Sequence, residues 1–234
     1  MRRDGLLACT SLILILTSLS LAQTGQEKPT MDSAHHLLSC GDSPTPGRRP
    51  ASANCAILGH NHFVSLPEEP IALRLEIFPT TEAAHRTASP ASAVVEAAGK
   101  VWLLTLGSKG ERSQSGTFVK EIGPIPSIPT AQNYELFVAE ADFSPEMNSA
   151  VSKAVHTHSG PEIWYLFTGE QCLETPNGIQ VARAGEGMFA PANTPMQLNI
   201  TGTSNRDALF VIVHDASKPA TSVSDWQPKG SCQK

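Results

Sequence analysis

Apolar and polar residues alternate along most of this chain with the two-residue period of β-strands. Ile71 to Phe78 (IALRLEIF) sets Ile71, Leu73, Leu75 and Ile77 on one face and Arg74 and Glu76 on the other. Pro79 ends that strand, and Thr81 caps a short alanine-rich helix, TEAAHRTA. Ser92–Glu96 and Lys100–Leu106 then read as a hairpin around Ala97-Ala98-Gly99. Residues 56–130 are therefore expected to form a small α+β region, β-α-β-β. A polar loop, residues 107–116, and a short strand, Phe118–Ile122, precede the stiff connector GPIPSIP. From there strands dominate: Tyr134–Phe143, Ile163–Thr168, Gln171–Thr175, Ile179–Ala182, Gly187–Phe189, Gln197–Thr201 and Ala208–His214. Tight turns separate them, among them the hairpin signal Asn177-Gly178. Seven short strands of this kind predict a closed barrel or jelly roll over residues 131–216, followed by an aperiodic tail, 217–234, lying across it.

Composition agrees with strands and turns: 18 prolines and 17 glycines in 234 residues. A net charge of −5 with no basic stripe gives no footprint for nucleic acid. The amino terminus is read as a targeting segment, residues 1–22. Arg2 and Arg3 precede a mostly apolar stretch, and Ser20-Leu21-Ala22 offers a cleavage site. The run is short for a spanning helix and lacks a basic stop-transfer flank, so the mature chain is expected to be secreted or periplasmic with no membrane attachment. Export makes the cysteines disulfide candidates. Cys9 leaves with the signal, and Cys40, Cys55, Cys172 and Cys232 allow three pairings. Cys40–Cys55 is the local pair and would staple an extended arm, residues 23–55; Cys172–Cys232 is what that choice leaves. His35-His36 in the arm is read as solvated. His60-Asn61-His62 is read as no metal site, because no carboxylate follows at a spacing of three or four.

The chemistry lies in Val155–Gly169, VHTHSGPEIWYLFTG. His156 and His158 are two apart, so in an extended segment both imidazoles point the same way, with Thr157 opposite. Ser159-Gly160-Pro161 makes a turn, and Glu162 opens the next strand. Two imidazoles and a carboxylate suit Fe, Mn, Ni, Cu or Zn. The parity of Glu162 continues through Trp164 and Leu166, which would wall the site. Ile163, Tyr165 and Phe167 face the other way and, being apolar, require a second covering layer. Phe189 and Leu198 are further expected pocket walls.

The pattern H-x-H-x3-E-x6-G, from His156 to Gly169, resembles the first motif of the cupin superfamily, with Ala150 where that motif usually opens on Gly. Fifteen residues then lead to Gly185, and G-x5-P, from Gly185 to Pro191, resembles the start of the second. The resemblance covers residues 134–215. It implies an all-β, cupin-type double-stranded β-helix, a jelly-roll barrel, in the C-terminal half, preceded by the small α+β region. The second motif departs from the family. Asn193, Met196 and Ile200 stand where Gly, a ligand His and Asn are usual. Met196, Leu198 and Ile200 alternate with Gln197, Asn199 and Thr201, which turns Met196 inward and Gln197 outward. Asn199-Ile200-Thr201 is a glycosylation sequon, silent if it lies mid-strand.

Three outcomes follow for the site: a three-ligand His156/His158/Glu162 centre with open positions, a copper-leaning centre using the Met196 thioether, or a lost metal and a plain small-molecule pocket. The family implies a metal enzyme on a small organic molecule, dioxygenase-like, with Glu162 as ligand and candidate base. The other reading is a non-catalytic binding protein. Cupins often pair through their sheets, so the resemblance also implies a homodimer. A residual alternative makes Ala84–Gly99 a decayed copy of the motif, with His85 in the place of the first His.

Overall fold

In the computed structural model, residues 40–233 are described, except 127 and 153; the targeting segment and His35-His36 lie outside them. The N-terminal half runs β1 (Gly41–Asp42), β2 (Cys55–Phe63), β3 (Ile71–Phe78), α1 (Thr81–Thr87), β4 (Ser92–Ala97), β5 (Lys100–Ser108) and β6 (Thr117–Ile122). The second half runs β7 (Tyr134–Phe143), a short 3-10 turn, α2 (Asn148–Val151), β8 (His156–His158), β9 (Glu162–Leu166), β10 (Glu170–Thr175), β11 (Gly178–Arg183), β12 (Gly187–Ala190), β13 (Gln197–Thr201), β14 (Arg206–Asp215) and β15 (Thr221–Val223). The cap of α1 falls one residue earlier than expected: Thr80, not Thr81, accepts the Ala83 amide.

Four sheets build the molecule. The largest has the order β1-β2-β7-β14-β9-β12. Facing its inner side are β11-β10-β13 and the pair β15-β8; behind it lies β4-β5-β3-β6. The C-terminal half is the expected jelly roll, but no ladder joins the two facing sheets among the described residues. Side chains of the interior cluster fill the space between them.

The large sheet is apolar on both faces, and residue parity sorts the two. On β14, Leu209, Val211 and Val213 join the outer core, whereas Ala208 belongs to the barrel interior. On β9, Ile163 and Tyr165 go outward and Trp164 and Leu166 inward. The required covering layer is the four-stranded sheet. Leu73, Leu75, Leu104 and Trp102 pack against it, with Trp102 ring to ring with Tyr165 at 5.7 Å and with Phe167 at 5.2 Å. Burying both faces of a sheet in this way removes apolar area from water twice over.

Three features depart from the sequence pattern. β2 was not among the expected strands: Gly59 and the polar run His60-Asn61-His62 interrupt its alternation, yet it pairs with β7 along its length with one register shift between Ile57 and Gly59. The polar face of β3 is not solvated. Glu76 is buried, takes Arg74 Nε at 3.0 Å and accepts the Ser113 amide of the overlying loop. Gln197 and Asn199 of β13 are also buried, because α2 and its preceding turn cover them; Gln197 donates to the Ser152 carbonyl at 2.5 Å. With Asn199 fully buried, the sequon has no exposed acceptor.

Candidate metal centre

β8 and β9 deliver the site. A Cβ at Gly160 would lie 1.7 Å from the Val213 carbonyl oxygen, so only glycine lets the turn press against β14. That contact seats β9 beside β14, with Glu162 opposite Ile212 and Trp164 opposite Phe210. His156, His158 and Glu162 come together, each offering a ligand atom within 4.8 Å of the others. The two imidazoles meet edge to face, 4.8 Å between centroids.

Both histidines are oriented through Nδ1. His156 Nδ1 donates to the Ala154 carbonyl at 2.9 Å, and His158 Nδ1 to the Ala220 carbonyl at 3.1 Å, with Thr221 Oγ1 at 3.0 Å. A backbone acceptor at Nδ1 selects the tautomer whose Nε2 carries the lone pair, the usual arrangement around a metal-binding imidazole. His158 is 4% exposed and Glu162 5%. Their Nε2 and Oε2 atoms lie 2.8 Å apart and face each other as an ion pair, with no further hydrogen-bond partner on either atom. Burial lowers the His158 pKa and the Glu162 carboxylate more than offsets it, leaving a net rise. Two convergent, buried ligand atoms that face only each other, with a His156 ligand atom within 4.8 Å, are a donor set that a cation would bridge, so these residues fit a divalent metal.

The site opens into a cavity of about 510 Å³. Trp164 and Leu198 line it as expected. Leu166 and Phe189 do not. Leu166, two positions beyond Trp164, is sealed in the interior cluster, and on β12 it is Met188 and Ala190 that face inward while Phe189 packs on the outer core. Met196 bridges directly to His156, amide to carbonyl at 2.9 Å, so it occupies the register of a further ligand. Its side chain is fully buried in the interior cluster and is not among the cavity walls. His60 lies elsewhere, between Glu135 and Asp42; their charge overcomes burial and raises its pKa.

Two features escaped the sequence reading. The tail supplies part of the site: β15 pairs with β8, and Ala220 and Thr221 hold His158. Arg206, 1% exposed, also lines the cavity. Extending the alternation of Ala208–His214 back by two residues would have found it. Both disulfides form as the local pairing implied, Cys40–Cys55 and Cys172–Cys232. Cys40 and Cys55 also stand at the cavity wall.

A jelly roll of facing sheets that carries H-x-H-x3-E over two consecutive strands, with its ligand atoms turned inward, decides the fold. It is that of a cupin. No family model matches the sequence, and no curated protein matches it. Solved structures similar to it include DMSP lyases (17% identity, 41% of this chain and 46% of that one, TM-score 0.28). Others are acireductone dioxygenase from Bacillus anthracis with a cadmium ion in its active centre (14%, 39% and 54%, 0.28) and a Cupin 2 conserved barrel domain protein from Salinispora arenicola (18%, 41% and 72%, 0.27). The chain thus spans about half the length of the first two. At these superposition scores, the cupin fold of this chain stands on its own strands and motif.

Proposed function

We propose that this chain is an exported cupin that holds one divalent transition metal on His156, His158 and Glu162 and acts, dioxygenase-like, on a small organic molecule. The metal would be Fe, Mn, Ni, Cu or Zn. The observation that carries this reading is the convergence of buried ligand atoms, His158 Nε2 and Glu162 Oε2, with His156 at the wall of a mostly apolar cavity. When bound, the metal supplies Lewis acidity and, for the redox-active ions, a site for oxygen chemistry.

The chain's own residues then have separate tasks. The carbonyls of Ala154 and Ala220 keep both imidazoles in the ligating tautomer. Trp164, Leu198 and Phe137 keep water from the centre and receive the apolar part of a substrate. Glu162, the acid among the described cavity walls, is the group placed to take a proton from a bound molecule. Met196 in place of the usual fourth ligand leaves coordination positions open. It also favours a second reading, a binding protein without turnover. Export is supported by the sequence pattern of residues 1–22 and by two disulfides, which persist in oxidising compartments.

Elemental analysis of the purified mature protein tests the metal. One equivalent of a transition metal is expected, falling to near zero in His156→Ala and His158→Ala. A metal-free wild type, with both variants as thermally stable as it is, would overturn the proposal.

A further inference from the structure

Resting on the proposed metal reading for its setting, a second feature of the same cavity narrows what enters it. Arg206 opens β14 with the inward parity of Ala208, Phe210 and Ile212. Its guanidinium is buried, and no carboxylate lies within 4 Å of it among the described residues. Nη1 donates to the Ala141 carbonyl at a long 3.2 Å, Nε has no partner, and the Phe143 ring lies 5.1 Å from Cζ. A neutral carbonyl and a ring face do not neutralise a buried cation, and such a charge is normally paired. The largest charge acting on it is Glu162 across the cavity, with no direct contact, followed by Asp207 and Asp142; Asp142 is engaged with Arg49 on the outer face.

Glu162 is the other charged side chain among the described walls of the cavity. A divalent metal on Glu162 would leave the interior with a net positive charge on Arg206 and the metal together. The rest of the lining is largely apolar, notably Phe137, Trp164, Phe210 and Ile212. An inorganic anion would meet the charge but not those walls.

We infer that the cavity takes a small organic acid whose carboxylate is bound by Arg206 while its apolar part lies against Trp164 and Phe210. The planar fork of an arginine suits a carboxylate in a way that a lysine ammonium does not.

Calorimetric titration of the full chain as purified tests this, with benzoate, its neutral isostere benzamide and inorganic phosphate as probes and metal content determined on the same sample. Benzoate is expected to bind roughly tenfold or more tightly than benzamide, the range of a charge-assisted hydrogen bond, and more tightly than phosphate. Arg206→Gln should abolish the preference over benzamide, and Arg206→Lys should reduce it. Thermal melting reports whether each variant folds; should the Gln variant not fold, the Lys variant and the wild-type ratio still decide. A wild type without the preference, one that binds phosphate as well as benzoate, or a metal-loaded Arg206→Gln that keeps the preference would overturn the inference. A metal-free chain that shows the preference and loses it in Arg206→Gln would sink the metal proposal alone and leave this one standing.

Discussion

Single side chains in this protein show how burial sets charge. Glu140 lies on the outer face of β7, and burial pushes its carboxyl up to about 7; the neighbouring Asp207 and Asp142 add to the rise, and Arg49, 3.5 Å away, only partly opposes it. A carboxyl whose folded pKa exceeds its unfolded one holds its proton more tightly when folded. Its contribution is therefore neutral below about 4.5, grows unfavourable as pH rises, and is complete above about 7. At about 1.4 kcal/mol per unit, discounted for partial solvent screening, the penalty is on the order of 2 kcal/mol. Glu140→Gln should thus be more stable than wild type at pH 8, by about 1–2 kcal/mol once the weakened Arg49 contact is counted, and the gap should close by pH 5. Urea unfolding across that range checks it. An unchanged gap would mean that Glu140 does not titrate as its surroundings dictate. His158 and Arg206 show the same principle inside the barrel. Each is buried, and the burial of neither was written in the sequence. His156-x-His158 announced itself by spacing. Arg206 did not, because one arginine before a strand looks like a solvated end.

At the scale of elements, the parity of β9 was legible: it set Glu162 and Trp164 on one face, and both line the cavity. The strand Cys55–Phe63 was not, because Gly59 and three successive exposed polar residues, His60-Asn61-His62, break its alternation. The close approach between the Ser159–Pro161 turn and β14 makes Gly160 an element-level requirement. Gly160→Ala places a methyl group against the Val213 carbonyl and must move β9, β14 or both. A loss of about 2–4 kcal/mol of stability is expected, in the range of overpacked, tightly constrained sites. Metal content should fall with it, since Glu162 follows only two residues later. Retention of wild-type melting and full metal loading would show that the turn yields freely.

At the scale of the molecule, the tail and the disulfides enter the chemistry. Cys232 is tied to Cys172 on β10, and the Lys229 and Ser231 amides donate to Glu174 of the same strand, at 2.7 and 2.9 Å. Between these anchors and β14 runs the segment that gives His158 its carbonyl and hydroxyl partners. The paired substitution Cys172→Ala with Cys232→Ala should therefore weaken metal binding by about tenfold or more, the usual loss when a ligand's supporting partner is disturbed, while the strands of the barrel persist. Competition with a chelator of known affinity measures the first effect and far-UV circular dichroism the second. Unchanged affinity would mean that the strand pairing of β15 with β8 holds the tail without the disulfide. No helix among the described residues is long and apolar enough to cross a membrane. The back sheet completes the design at this scale: Trp102, set by its Nε1 bond to the Ala97 carbonyl at 2.8 Å, covers the outer side of the strand that carries Glu162.

What the sequence by itself determined is local. Two-residue alternation specifies strands and most of their faces, His-x-His with Glu four positions on specifies a ligand set, and the short loop between Cys40 and Cys55 marks the local one of three possible pairings. Each depends on interactions between near neighbours, which spacing encodes. The tertiary structure alone decided the rest. It made the four-stranded sheet the required cover, put Ala220 and Thr221 from the far end of the chain behind His158, and enclosed Arg206 with Glu162 in one cavity. Those contacts join residues tens of positions apart, and no local pattern carries the geometry that brings them together. The His156–His158–Glu162 motif was visible as three ligands. Its tautomers, its burial and the cation that shares its cavity belong to the fold.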